Sequence, residues 1–379
     1  MKVLIAPDSF KGGLTAKQAA DAIEVGVLRA MPQAECVKIP MADGGEGTVS
    51  SLVEANHGEL RHAEVTGPLG KPVKATYGLL DNGQTAVIEM AQASGLQYVD
   101  GSSIQAGQAT TFGTGELMLA ALDAGARRLI LGLGGSATTD GGAGMAQALG
   151  VHLRNQAGDE IGFGGIALAQ LDSIDMTTID PRIAKADLLI ASDVTNPLTG
   201  PNGAAYMFSQ QKGADAQLQQ QLDQNLAHYA DIIAQALQID VRNIPGAGAA
   251  GGLGAGLFSF TPGQIRPGVA LVLEMTKLRQ KAANVDLVFT GEGRIDEQTQ
   301  FGKTPFGVAL AAKQAAPTAP VVALAGSVGP TTGVIRPDGI DAVFAILPGV
   351  ETLPVAIAKA AENLTRTAEN ITRLVIAKP

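Results

Sequence analysis

Short apolar runs recur along the chain, and each breaks into a loop of glycine with charged or hydroxyl residues. Lys2-Val-Leu-Ile-Ala6 is a continuous apolar run of the kind buried on both faces of a parallel sheet, and it ends in Pro7-Asp-Ser-Phe-Lys-Gly-Gly13. Leu14-Thr15 then offers a hydrophobic staple and N-cap to a helix carrying Ala19, Ile23, Val27 and Ala30 on one face, stopped by Pro32. A strand at Cys36–Ile39 completes a βαβ unit. It runs into the glycine turn Pro40–Thr48, and a helix with Val49, Leu52 and Val53 follows, closed at Gly58. These two strand ends deliver Asp8, Ser9, Lys11, Asp43 and Glu46 to one edge of the predicted sheet, the edge where ligands bind in open α/β sheets.

From about Leu60 the pattern changes to short strand-like segments, Glu64–Thr66, Val73–Leu80 and Thr85–Met90, with a hairpin signal at Asn82-Gly83. A helix at Gly115–Ala124 and a buried strand at Arg128–Leu133 lead into the most glycine-rich stretch, Leu131–Met145, before a short helix closed by Gly150. A further strand, Asp187–Ala191, ends in Ser192-Asp-Val-Thr-Asn-Pro, and an amphipathic helix spans Gly213–Leu237. The parallel-strand type returns at Val285–Thr290, ending in Gly291-Glu-Gly-Arg-Ile-Asp-Glu297. A helix at Pro305–Ala315, strands at Val321–Ala325 and Asp341–Leu347, and a long terminal helix follow. Neither end of the chain alone has enough strands for a stable sheet. The expected fold is therefore α/β with two α/β domains. A doubly wound Rossmann-like domain, 1–66 and 285–379, is interrupted by a large second domain, 67–284, with a partly antiparallel sheet.

Composition narrows the function classes. A chain of 379 residues with 46% hydrophobic content has sizeable cores, and its 48 glycines are near twice ordinary usage without any repeat. Net charge −9, 4% aromatic residues and no Trp leave no nucleic-acid surface. The single cysteine, Cys36, allows no internal disulfide and sits in a strand-like context, and the four histidines lack zinc-ligand spacing. No run approaches a membrane span and no signal sequence is evident, so the cytoplasm is the expected compartment. Homo-oligomerisation is compatible with the sequence.

Several strand ends combine glycine with acids, hydroxyls and cations, which suits phosphoryl transfer: amide donors for phosphate, carboxylates for Mg²⁺, and a base for the attacking hydroxyl. In the central stretch a strand leads into a helix amino terminus, where amides and the helix dipole favour an anion. The competing reading is a small-residue turn packing a helix on a sheet. Gly302-Lys303-Thr304 looks like the end of a Walker A motif, but the earlier glycine would fall at Glu297 and no strand abuts it. Gly246, Gly248 and Gly251 make a formal G-x-G-x-x-G, again without a strand before it. Two other classes compete. One is an NAD-dependent dehydrogenase of a small hydroxy acid, with Gly132–Ala137 as dinucleotide loop and Asp159 or Glu160 as ribose acid. The other is a non-catalytic metabolite-binding protein.

Six ordered segments carry a more specific likeness: Ala6–Gly12, Pro40–Thr48, Gly134–Gly144, Ser192–Leu198, Pro245–Gly252 and Thr290–Asp296. Together they closely resemble the bacterial glycerate kinase type I family, through essentially the whole chain. The resemblance implies ATP-dependent phosphorylation of D-glycerate, at the 2-hydroxyl in the 2-kinase branch, within glycolate, glucarate or galactarate breakdown. It also implies two α/β domains with a cleft between them. Asp193, leaving a strand into a stiff Asn-Pro loop, is the candidate base; its alternative is an Asx-type cap of Val194–Leu198. Lys11 and Arg294 are the cations for the substrate carboxylate and the transferring phosphoryl group, unless they form surface ion pairs. Asp8, Ser9, Asp43, Glu46, Asp140, Glu292 and Asp296 are candidates for Mg²⁺ or substrate hydroxyls, with Asp193 and Asp296 the metal assignment. Gly134, Gly135, Ser136, Ala137, Thr138, Asp140 and Gly291 are the nucleotide-binding candidates.

Overall fold

In the computed structural model, described over residues 1–330 and 333–377, the strands run in chain order β1 (Lys2–Pro7), β2 (Glu35–Lys38), β3 (Glu59–Thr66), β4 (Pro72–Leu80), β5 (Thr85–Glu89), β6 (Arg128–Gly132), β7 (His152–Arg154), β8 (Ser173–Asp175), β9 (Asp187–Ala191), β10 (Gln264–Arg266), β11 (Leu287–Ile295), β12 (Val321–Val328) and β13 (Ala342–Ala345). They form two main sheets, each in its own compact unit.

The first unit comprises Met1–Asp43, Ser50–His57 and Pro267–Pro379. Its sheet is wholly parallel in the order β2-β1-β11-β12-β13. Val3, Leu4, Ile5 and Ala6 are completely buried, as a strand covered on both faces requires. The helix Ala16–Ala30 starts with a capping box between Thr15 and Gln18 and buries Ala19, Ala20, Ile23 and Val27. It packs on the helix Ala360–Ile376 so closely that a Cβ at Gly26 would overlap the Thr365 carbonyl oxygen. Strand order reverses between β1 and β11. In this doubly wound order the crevice outside the carboxyl ends of those two strands is the topological switch point.

The second unit comprises Gly44–Val49 and Gly58–Arg266. Its sheet runs β10-β9-β6-β5-β4-β3, parallel from β10 to β5 and antiparallel through β4 and β3. Asp81 and Asn82 adopt left-handed conformations in the turn joining β4 to β5, where the Asn-Gly signal lies. β7 and β8 form a separate two-stranded ribbon.

The unit boundaries fall at different places from the expected 1–66, 67–284 and 285–379. β3 is paired with β4 along its whole length, Glu59↔Leu79 to Thr66↔Pro72, and so belongs to the second sheet. The helix Gly268–Met275 belongs to the first unit, where a Cβ at Gly307 of the helix Thr304–Ala315 would meet Val269 Cγ1 at 2.5 Å. The turn after Asp43 is in the second unit, which separates Glu46 from Asp8, Lys11 and Asp43.

Candidate active site

The switch point of the first unit gathers opposing charges from four segments. β1 and β11 pair through Pro7↔Gly291, and Asp8 N–H donates to the Gly291 carbonyl at 2.8 Å. Asp8 therefore leaves the end of β1 beside Glu292. One Asp8 oxygen accepts from Ser9 N–H at 2.6 Å and the other from the Thr304 hydroxyl at 2.6 Å. Burial pushes the Asp8 carboxyl up to about 6, with Asp43 adding to the rise and Lys11 opposing it. Burial likewise pushes Glu292 up to about 7, reinforced by Asp8 and Asp43 and opposed by Lys303. The Thr299 hydroxyl reaches Glu292 Oε1 at 3.4 Å. Two carboxyls raised toward neutrality, within the electrostatic reach of Lys11 and Lys303, suit a site that handles protons and anions.

The neighbouring candidates divide. Lys11 and Asp43 are exposed and couple electrostatically to Asp8. Arg294 is 67% exposed and pairs with Asp296 at 3.0 Å, the surface ion pair that was its alternative fate. Asp296 caps the turn Glu297–Gln300, accepting from Gln298 N–H while its own N–H donates to Thr299. Gly291, expected to open a loop, lies within a strand instead. β11 continues to Ile295, paired with β12 to Ile295↔Val328, and a Cβ at Gly291 would overlap the Leu324 carbonyl oxygen. The Gly302-Lys303-Thr304 segment, set aside as an incomplete Walker A, supplies the Thr304 bond to Asp8 and the Lys303 charge acting on Glu292.

In the second unit, the loop after β6 exposes Gly134 and Gly135 and buries Ser136, Ala137, Thr138, Thr139 and Asp140. The Leu96 N–H donates to Gly135 O at 3.0 Å and the Ala137 N–H to Ser94 O at 2.9 Å, pinning the loop from one side. The amino terminus of the helix Ala143–Ala148 does not point into open solvent. Gly142 N–H and Gly144 N–H donate to the fully buried Asp140 carboxylate, which also accepts from Thr111 N–H and the Thr111 hydroxyl. Asp140 is thus an internal cap. Desolvation still holds its carboxyl above the usual range. Glu89, which ends β5, does the same for the helix Thr48–Ala55 by accepting from Val49 N–H at 2.8 Å.

The Pro245–Gly256 glycines also meet protein. They open the helix Ala249–Phe260, which contains a left-handed break at Ala250, Gly251 and Gly252. Gly251 has φ +70°, and a Cβ there would overlap the Thr138 carbonyl oxygen, while Gly251 O accepts from Gly141 N–H at 3.1 Å. The two glycine-rich stretches therefore pack backbone to backbone, so most of their glycines serve close packing and only the Gly134-Gly135 tip is exposed. Behind the loop lies a residue that sequence reasoning missed: Lys212 is buried, and its ammonium donates to Ser136 Oγ at 2.9 Å and Thr138 O at 2.6 Å.

Asp193 is exposed just past the end of β9. The Val194 N–H goes to the Ser192 hydroxyl at 3.3 Å, so Ser192 makes the local turn. Asn196 Nδ2 donates to Asn202 O at 2.9 Å and Asn196 O accepts from Gly248 N–H, and these bonds brace the loop. Of the two ribose-acid candidates of the dehydrogenase reading, Asp159 and Glu160, the second is engaged elsewhere. Glu160 folds back onto β7 through His152 and Leu153 N–H, and β7 is not a neighbour of β6.

With these strand ends in view, comparison with known proteins is decisive. A family model described as the glycerate kinase family matches residues 3–376. The chain belongs to the glycerate kinase family. It is 52% identical to "Glycerate kinase" of Bacillus subtilis (strain 168), covering 98% of this chain and 97% of that one. It is 48% identical to "Glycerate 2-kinase" of Escherichia coli (strain K12) over the same shares. A crystal structure of a Salmonella typhimurium LT2 protein assigned as glycerate kinase 2 superposes with a TM-score of 0.89 at 47% identity, covering 100% of this chain and 98% of that chain. The dehydrogenase and the non-catalytic binding protein find no support in these relatives. In this glycerate kinase family member five of the resembling segments lie at the ends of β1, β2, β6, β9 and β11, and Pro245–Gly252 opens the glycine-rich helix.

Proposed function

We infer that this member of the glycerate kinase family transfers the γ-phosphoryl group of ATP to D-glycerate, at the 2-hydroxyl, forming 2-phospho-D-glycerate and ADP. The observation that carries the reading is the gathering of Asp8, Glu292, Lys303 and Thr304 at a sheet switch point in a chain that matches the family from end to end.

In the first unit, Lys11 takes the substrate carboxylate, and Lys303 supplies the positive charge that the paired Arg294 was expected to bring to a phosphoryl oxygen. Asp8 and Glu292 set the charge at the strand ends. In the second unit, the exposed Gly134-Gly135 amides and the Ser136 and Thr138 region cradle the nucleotide phosphates. Asp193 accepts the proton of the glycerate hydroxyl as its oxygen bonds to Pγ and the bond from Pγ to the ADP oxygen breaks. Mg²⁺ neutralises phosphate charge when bound. Among the described residues no group of three or more His, Cys, Asp or Glu is arranged to hold a metal ion. That donor set fits an ion carried mainly by phosphate and water, with Asp193 or a carboxylate at the switch point as the protein ligand. Asp296 already accepts from Arg294 and Gln298, which weakens its claim.

The test is an assay with ATP, Mg²⁺ and D-glycerate, followed by phosphorus NMR of the product. A 2-linked glycerate phosphate with stoichiometric ADP is expected. A 3-linked product would overturn the regiochemistry, and no ADP formation would overturn the reaction.

A further inference from the structure

Lys212 is the one lysine among the described residues whose side chain is enclosed in the core of the second unit, and the reaction above leaves it without a role. It ends the turn Gln210–Lys212, followed by Gly213 in a left-handed conformation. Its ammonium bridges two points of the loop after β6, Ser136 Oγ and Thr138 O. Burial pushes this amine down to about 7, with the Asp140 carboxylate opposing the shift.

The Asp140 carboxylate and the Gly141–Gly251 bond hold the far end of the loop, at its entry into the helix Ala143–Ala148. The hydroxyls of Thr138, Thr139 and Tyr229 are buried without a hydrogen-bond partner among the described residues. The bonds at Gly135 and Ala137 hold the loop from one side only, against residues 94–96. Lys212 is the side chain that ties Ser136 and Thr138 to each other. Ser136 Oγ and the Thr138 carbonyl are the acceptors of its two hydrogen bonds. An apolar side chain of similar length would fill the same space without the cost of burying a charge. Stability alone therefore does not account for a lysine.

We propose that Lys212 is a positioning residue for the nucleotide, fixing Ser136 and Thr138 from behind so that the exposed Gly134-Gly135 tip meets the phosphates of ATP in one arrangement. The proposal rests on the assignment of that loop to ATP. It makes ATP affinity, and not glycerate affinity, depend on a side chain that touches neither substrate.

The experiment compares the wild-type protein with Lys212→Met by thermal melting, by calorimetric titration with ATP and Mg²⁺, and by steady-state kinetics in each substrate. Lys212→Met is expected to melt no lower than wild type, to raise the Kd and KM for ATP at least tenfold, and to leave the KM for D-glycerate within twofold. Should the methionine variant not fold, Lys212→Ala carries the same comparison. A folded variant with unchanged ATP affinity, or with both KM values raised equally, would overturn the proposal. Wild-type protein that binds no ATP would instead overturn the kinase reading on which it rests.

Discussion

Thr304 donates its hydroxyl proton to Asp8 Oδ2 at 2.6 Å, a bond between residues 296 positions apart. It joins the loop after β1 to the first turn of the helix Thr304–Ala315, while Ser9 N–H holds the other oxygen of the same carboxylate. Both bonds favour the charged form of Asp8, yet burial still wins and its carboxyl stays near 6. Glu292, with only the long Thr299 contact and the Lys303 charge to oppose burial, goes further, to about 7.

These shifts carry a definite sign. Between pH 4.5 and 7 the folded protein binds more protons at Glu292 than the unfolded chain does, so stability is present at low pH and is lost as pH rises through the folded value. Glu292→Gln removes that loss. Urea melts at pH 5 and pH 8 should therefore show the variant gaining on wild type at the higher pH, by on the order of 1–3 kcal/mol. An equal difference at both pH values would mean that Glu292 titrates normally.

Lys303 tests the same site through activity. Its charge favours ionised Glu292, so Lys303→Met should push the Glu292 carboxyl still higher. If the ionised acid is the working form, the acidic limb of kcat/KM moves upward by about half a unit to one unit, alongside a loss of kcat from the missing cation. A pH profile with lowered amplitude and an unmoved limb would remove Glu292 from the mechanism.

Much of this arrangement was legible from the chain. The buried run Val3–Ala6, the Asn-Gly turn after β4 and the polar strand ends all follow from periodicity and turn chemistry, and the six segments located the family. What was misread depends on distant partners. Gly291-Glu292-Gly293 looks like a loop, but hydrogen bonds from β12 keep it in the strand. Pro245–Gly256 is set aside for want of a strand before it, and its glycines instead fit the backbone of Thr138 and Gly141, more than a hundred positions away. Lys212 sits in a polar stretch with no periodic signal, and only the fold encloses it. Lys303 and Thr304 were visible as a Gly-Lys-Thr triplet, whose partner Asp8 lies at the other end of the chain.

The packing of the two glycine-rich stretches predicts a stability defect. Gly251→Ala puts a Cβ onto the Thr138 carbonyl oxygen in a left-handed conformation, so relief requires moving the backbone of one stretch. A loss of about 2–4 kcal/mol is expected in urea titration. Gly200→Ala is the control: it shares a positive φ but has open space around the added methyl, so its cost should be about 1 kcal/mol.

Lys11 is exposed. Lys11→Ala should therefore leave the melting temperature within about a degree, as for surface substitutions generally. Its expected effect is on substrate: a KM for D-glycerate raised about tenfold or more, with kcat changed less. An unchanged KM would assign the glycerate carboxylate to another cation, with Lys303 next in line.

Asp193 stands apart from the buried acids because it is exposed at a strand end, in a loop braced by Asn196. Asp193→Asn keeps the side-chain volume at an exposed position, so the variant should fold and melt close to wild type. Loss of a general base costs about a hundredfold or more in kcat while leaving substrate binding nearly intact. The expected result is thus a collapsed kcat with both KM values within about threefold. Retained kcat would return the proton transfer to the titrating pair at the switch point, and the pH profile of Glu292→Gln would then decide between Glu292 and Asp8.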